Sequence, residues 1–248
     1  MDILRLRITL SKKGLTLPLA YQSVIQGTIY GLLSRTELGN KYHNEGYQYQ
    51  NKKFKCFVFS QLFGKYRIKD KNICFEENFY FYLSSQDEQF LKEIYKVLSH
   101  NEYLILKNQR VLIKDIYIFD LTPFNDMKTV TVKTLSPILI YSTKDDFSTY
   151  YKPSDKEALL YIKQNIHDKG KAYGYPICNL EFEIEKVVFE KRRMVKYKNC
   201  LYPAYLCEMV IKTNYEVLSF IYNCGLSSKN SCGFGMIKVI NEKGHICL

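Results

Sequence analysis

Leu4, Leu6, Ile8 and Leu10 alternate with Arg5, Arg7 and Thr9, the two-residue period of a strand with one buried face, beginning almost at the N-terminus. The period then changes. From Leu19 to Leu38 the residues Tyr21, Val24, Ile25, Ile29 and Leu32 share one stripe at about 100° per residue, which predicts a helix. Tyr30 lies roughly opposite the centre of that stripe and is expected to look outward. Residues 39–51 are polar and without period, so a loop carrying His43 and three tyrosines is expected there. Strand patterns return at Phe57–Ser60 and Asn78–Leu83. Between them Lys65, Arg67, Lys69 and Lys71 are spaced as on an exposed sheet face, although lysines guarding a sheet edge would look the same. Phe90, Leu91, Ile94, Val97 and Leu98 repeat at helical spacing behind a Ser-Ser-Gln-Asp start suited to a cap, and Val111–Phe119 reads as strand. The order is β-α-β-β-α-β, a ferredoxin-like one.

Thr122-Pro-Phe-Asn-Asp126 is the best break in the chain and divides it into expected domains 1–122 and 123–248. Beyond it a strand pattern runs from Val130 to Ile140, with Thr134-Leu-Ser-Pro137 inside it. A helix is expected from Ser154, with Glu157 completing a capping box and Leu159, Ile162 and Ile166 on one face. Alternation follows in 181–185, 187–197 and 206–211. Asn214 is placed to cap a last helix ending at Cys224, and Met236–Ile240 closes a second β-α-β-β-α-β unit. The fold class is therefore α+β, two tandem ferredoxin-like (RRM-like) domains, even though the halves show no obvious sequence repeat. Between the second and third strands of the second unit, Glu190 to Lys198 holds five basic residues, Lys191, Arg192 and Arg193 among them. This reads as a hairpin tip, either merely solvated or gripping an RNA stem.

With 46% hydrophobic residues, 248 residues bury a sizeable core, and the formal charge of +11 points toward a polyanionic partner. The excess is shared, with 18 Lys+Arg against 12 Asp+Glu before Pro123 and 18 against 13 from there on, as a basic cleft between two halves would need. Tyr (22) and Phe (15) without Trp suit base stacking as well as strand formation. Eight cysteines include no Cys-x-x-Cys pair, which argues against a zinc site. With no leader pattern and no run of about 18 apolar residues, they are expected to be buried thiols of a cytoplasmic protein that does not enter a membrane.

The stretch from Asn223 to Lys238 joins the last helix to the last strand. Gly225, Gly233 and Gly235 let the backbone come close to a ligand, and Ser228, Lys229, Asn230 and Ser231 supply donors, as in a loop that takes phosphate or RNA backbone. An ordinary turn accounts for the composition equally well.

Gly225-Leu-Ser-Ser-Lys-Asn-Ser-Cys-Gly-Phe-Gly235-Met-Ile-Lys-Val, following two ferredoxin-like patterns, resembles the closing motif of the repeat-associated RNA-binding superfamily of CRISPR systems. In particular it resembles the sixth CRISPR-associated (Cas) family, the endoribonucleases that cut precursor CRISPR RNA within its repeats. The Leu-Arg-Ile-Thr-Leu strand, Gln26-Gly-Thr-Ile-Tyr30, the His43 loop, Phe57-Val-Phe-Ser60 and Thr134-Leu-Ser-Pro-Ile138 resemble that family in the same order, so the likeness spans essentially the whole chain. It implies metal-independent cleavage without a cofactor, in which a ribose 2′-hydroxyl attacks the adjacent phosphate and leaves a 2′,3′-cyclic phosphate and a 5′-hydroxyl. By the same resemblance His43, Tyr30 and Lys55 are the catalytic candidates, with Lys52 and Lys53 competing for the lysine role. RNA is expected to bind Lys52, Lys53, Lys191, Arg192, Arg193 and the glycine-rich loop, with Gly225, Ser228, Lys229, Asn230, Ser231, Gly233 and Gly235 as its candidates. The implied partner is CRISPR repeat RNA; effector-complex subunits and a second copy of the chain are further candidates. A catalytically silent RNA-binding relative is the alternative.

Overall fold

The computed structural model describes residues 5–34, 36, 39, 42, 45–119, 129–175, 177–240 and 246–247. The first half runs β1 (Arg5–Ser11), β2 (Thr16–Pro18), α1 (Gln22–Leu33), β3 (Tyr47–Tyr49), β4 (Lys52–Phe54), β5 (Phe57–Phe59), β6 (Phe63–Lys69), β7 (Asn72–Ser85), α2 (Glu88–Ser99), β8 (Tyr103–Leu106) and β9 (Gln109–Phe119). β1 sits between β7 and β9, antiparallel to both, with β5 and β6 paired along β7 and β8 outside β9. This is the strand arrangement of a ferredoxin-like sheet. Leu6, Ile8 and Leu10 point from β1 into a core shared with Ile25 and Ile29 of α1 and Phe90 and Ile94 of α2. Asp87 caps α2 by accepting from the Phe90 amide, as its Ser-Ser-Gln-Asp start leads one to expect.

The second half runs β10 (Thr129–Thr134), β11 (Ile140–Lys144), β12 (Phe147–Tyr151), α3 (Lys156–Tyr173), β13 (Phe182–Tyr197), β14 (Cys200–Thr213), α4 (Tyr215–Cys224), a 3₁₀ turn (Asn230–Cys232), β15 (Ile237–Ile240) and β16 (Ile246–Cys247). Its sheet order β13-β14-β10-β15-β16 repeats the ferredoxin-like pattern. Val130, Val132, Met209 and Ile211 bury against Ile162 and Ile166 of α3 and Val217, Phe220 and Ile221 of α4. Asn214 caps α4 by accepting from the Val217 amide.

Several local expectations are corrected. The strand expected over 130–140 is interrupted, because Leu135 and Ser136 turn their amides to the Met236 carbonyl and Ile140 begins a separate β11–β12 hairpin. α3 has Asp155, not Ser154, at its N-cap and no capping box; the Ser154 hydroxyl donates to Glu190 instead. Residues 190–198 are not a hairpin tip. Glu190 to Tyr197 lie in β13, paired residue by residue with β14, and only Lys198 falls in the turn, at Lys198–Asn199. The expected loop over 39–51 contains β3, which pairs with β4 just beyond it. Of the cysteines expected to be buried, Cys56, Cys207 and Cys224 are, whereas Cys178 and Cys200 are exposed and Cys74 and Cys232 half-buried.

The two sheets meet along a seam of Val58 and Tyr82 from the first half and Leu135 and Met236 from the second. Arg5 crosses it. Its guanidinium donates to the carbonyls of Tyr222 (2.7 Å) and Ile237 (3.0 Å) and stacks on the Tyr222 ring, so a strand residue expected on an outer face is fully buried. The expected boundary at residue 122 lies outside the described residues. Among those described, no helix is long and apolar enough to cross a membrane.

Candidate nucleic-acid interface and active site

Tyr30 does not look outward. It is half-buried against the core of the first half, its ring edge-on to Phe57 with centroids 5.6 Å apart, because β5 passes the helix face that the wheel left free. Burial raises the pKa of its hydroxyl, and the nearby Cys232 and Cys56 thiols add to the shift, so the group, a donor at neutral pH in any case, stays one at higher pH. His43 lies outside the described residues. The preceding residue, Tyr42, is buried, and its hydroxyl joins that of Tyr47 in donating to Asp87, at 2.9 and 2.5 Å. The cap of α2 thereby also anchors the segment on both sides of His43.

The three lysines near β4 have different settings. The Lys55 ammonium donates to the Tyr42 carbonyl at 3.3 Å, and desolvation followed by the charge of Lys53 lowers its pKa. Lys52 reaches across to α3 and pairs with the buried Asp168 at 2.6 Å. Burial pushes the Asp168 carboxyl up, but bonds from Lys52, Gln164 and His167 outweigh that and hold it low. Lys53 is exposed. Lys55 and Tyr30 thus flank the same Cys56–Phe57 segment, whereas Lys52 is tied to the second half.

The glycine-rich loop from Gly225 to Gly235 is a wrapped structure. Asn230, expected to offer a donor to RNA, is buried: its amide donates to the carbonyls of Phe234 (3.0 Å) and Leu226 (3.3 Å) and its Oδ1 accepts from Lys169. Gly225 and Gly235 are buried as well, as is Gly233, where φ is +87° and an added Cβ would lie 2.8 Å from the Phe59 ring of β5. That contact presses the loop onto the first half. Ser228 and Ser231 are half-buried. The Ser228 hydroxyl accepts from Asn165, and the Ser231 carbonyl accepts from Gln26 at 2.8 Å. Lys229 is half-exposed, in the left-handed region (φ 55°), its ammonium 5.2 Å from the Tyr202 ring centre and 5.8 Å from that of Tyr141.

Gln26 is a residue that sequence reasoning passed over. Besides holding Ser231, its Oε1 accepts from Tyr197 near the end of β13, so one α1 side chain ties the loop and the β13–β14 ribbon to the helix that carries Tyr30 one turn on. Its place in Gln26-Gly-Thr-Ile-Tyr30 was a usable signal. Lys169 is the other: it continues the buried stripe of Ile162 and Ile166, a position where a charged residue demands an explanation. Lys191, Arg192 and Arg193 are all exposed on β13. Val195 and Tyr197 turn inward, so strand alternation puts Lys191 and Arg193 on their face and Arg192 on the opposite one. Arg193 and Lys196 line an interdomain cleft of about 760 Å³ whose other wall includes Tyr21, Phe63 and Tyr66.

Two ferredoxin-like units meet at a buried seam, with a wrapped glycine-rich loop and a basic ribbon at their junction. The family model for the C-terminal part of the CRISPR-associated protein Cas6 matches residues 120–239. A curated relative from Methanocaldococcus jannaschii, CRISPR-associated endoribonuclease Cas6 1, is 28% identical over 98% of this chain and 95% of its own length. Among solved structures, a CRISPR associated protein Cas6 superposes with a TM-score of 0.78 at 23% identity, covering 96% of this chain and 99% of that one. A RAMP protein described as binding different RNA substrates superposes with a TM-score of 0.76 at 19% identity, over 96% and 100%. The chain is thus similar to Cas6 proteins along nearly its whole length, and its C-terminal part matches the Cas6 family model.

Proposed function

We propose that the chain is a metal-independent endoribonuclease that cuts precursor CRISPR RNA within its repeats to release guide RNAs. The curated relatives are named CRISPR-associated endoribonucleases. The observation that most supports it here is that Tyr30 packs edge-on to Phe57, two residues along from Lys55, whose ammonium holds the carbonyl of the residue before His43. In this reading residues 1–122 supply the chemistry and residues 123–248 most of the grip on RNA, in the cytoplasm where the precursor is made.

The ribose 2′-hydroxyl beside the scissile bond loses its proton to a base and attacks phosphorus. The phosphorane collapses by expelling the 5′-oxygen, which takes up a proton, leaving a 2′,3′-cyclic phosphate and a 5′-hydroxyl. His43 is suited to the proton transfers near neutral pH. Tyr30, protonated at neutral pH, donates to a phosphate oxygen, and the Lys55 ammonium stabilises charge on the phosphorane. Lys229, Arg193 and Lys191 hold the backbone, with Lys53 as a further exposed contact.

Single-turnover cleavage of repeat RNA by wild type and His43→Ala in EDTA tests this. Wild type is expected to cut and the variant to bind but cut at least about 100-fold more slowly. Binding without cutting by wild type would instead favour the catalytically silent reading.

A further inference from the structure

Lys169 is enclosed within the protein, only 1% exposed. Its ammonium donates to the Gly225 carbonyl (2.5 Å), Asn230 Oδ1 (3.1 Å) and the Ser227 carbonyl (3.4 Å). These three oxygens match the three N–H donors of an ammonium, and all belong to the glycine-rich loop. None carries a charge, so the enclosed cation is compensated by dipoles alone, a costly arrangement unless geometry depends on it. The loop needs such a hold: Ser227 (φ 64°) and Lys229 (φ 55°) both adopt left-handed backbone that residues with a Cβ rarely take. On the same helix Asp168 holds Lys52 of the first half, so adjacent side chains of α3 brace both sides of the interface.

We propose that Lys169 is the positioning residue of the RNA-binding loop, its three hydrogen bonds holding Gly225–Asn230 in the conformation that carries Lys229 over Tyr141 and Tyr202. This rests on the reading of that loop as an RNA contact. Lys169 itself touches no RNA. Burial lowers its pKa from 10.5 to about 8, with the Cys224 thiol of α4 acting slightly the other way. Burial pushes that thiol up to about 12, so it stays neutral, and Asp168 on the same helix is engaged by Lys52 and Gln164. The loop atoms facing the ammonium, two carbonyls and an amide, do not titrate.

The sign is distinctive. A lysine whose folded pKa lies below its unfolded one burdens the fold while it is charged, and that burden is relieved as pH rises from about 8 toward 10.5. Deprotonation therefore does not weaken the fold through this group, yet it removes one donor and the charge from the loop. RNA affinity should fall where stability does not.

The test measures binding of repeat RNA made uncleavable by 2′-deoxy substitution at the cut site, to wild type and Lys169→Met, from about pH 6.5 to 9.5, with urea unfolding in parallel. Wild-type affinity is expected to drop about tenfold through pH 8, as loss of a charge-assisted hydrogen bond implies. Lys169→Met is expected to bind about tenfold more weakly at pH 7 and lack that step, and to cut saturating cleavable repeat within about twofold of the wild-type rate, while unfolding more readily because three buried oxygens lose their donor. Asn230→Ala, which leaves the lysine but removes one of its acceptors together with the loop's own bonds to the Leu226 and Phe234 carbonyls, is expected to weaken binding in the same direction. If Lys169→Met, or Asn230→Ala where the first does not fold, binds with wild-type affinity and the same pH step, Lys169 does not position the loop and the RNA reading stands. If wild type fails to bind the repeat at all, the RNA reading falls and this inference falls with it.

Discussion

At the scale of single residues, Tyr30 shows how packing sets chemistry. Its ring packs on Phe57, and burial raises the pKa of its hydroxyl further above neutrality, so the group stays a donor well into the alkaline range. Tyr30→Phe keeps the ring and removes only the oxygen. It is expected to slow single-turnover cleavage by about 10- to 100-fold while leaving repeat affinity near the wild-type value. Lys55→Met is expected to do the same, whereas Lys52→Met is expected to lower stability, because it strands the buried Asp168 carboxylate. Equal slowing by both lysine substitutions would contradict the distinction. The sequence could not separate these lysines, three residues apart with similar neighbours; they differ because Asp168, 116 positions from Lys52, takes one of them. Tyr30 was misplaced because a wheel registers only the helix's own stripe and not β5 arriving on its other side.

At the scale of elements, β13 departs most from its sequence pattern. Residues 188–194 bury almost nothing on either face of the ribbon, so the strand carries no alternation and its charges read as a turn. Placing them on a strand splits them: Arg193 shares a face with Val195 and lines the cleft with it, whereas Arg192 lies on the other face and does not line it. Arg193→Ala is therefore expected to reduce the dependence of log affinity on log salt by about one unit, and Arg192→Ala by less than half of that, in titrations of repeat RNA across salt concentrations. Equal slopes would place the RNA elsewhere on the ribbon. The β11–β12 hairpin escaped notice because only Ile140 in it is fully buried, whereas α2 and α4, with apolar stripes and capping side chains, were legible in place.

At the scale of the molecule, two switches from two-residue to helical period in each half were enough to expose the tandem ferredoxin-like topology. The contacts joining the halves were not legible, since each pairs residues far apart in the chain. Arg5 reads as the outward member of an alternating strand until α4 and β15 cover it. Arg5→Ala removes two charge-assisted hydrogen bonds, leaves a cavity at the seam and strands two carbonyls. It is expected to cost about 3 kcal/mol or more in urea unfolding and to weaken cleavage through misalignment of Gln26 and the glycine-rich loop. Stability within about 0.5 kcal/mol of wild type would show that the seam does not depend on it. The central claim is that one half cuts, by internal attack of a ribose hydroxyl, the RNA that the other half helps to hold. Its most direct test is cleavage in EDTA of repeat RNA carrying one 2′-deoxy ribose beside the scissile phosphate, with analysis of the ends produced. Unmodified RNA should be cut to 2′,3′-cyclic phosphate and 5′-hydroxyl ends while the deoxy RNA binds equally and stays intact; cutting of the deoxy RNA, or a 5′-phosphate product, would contradict the account.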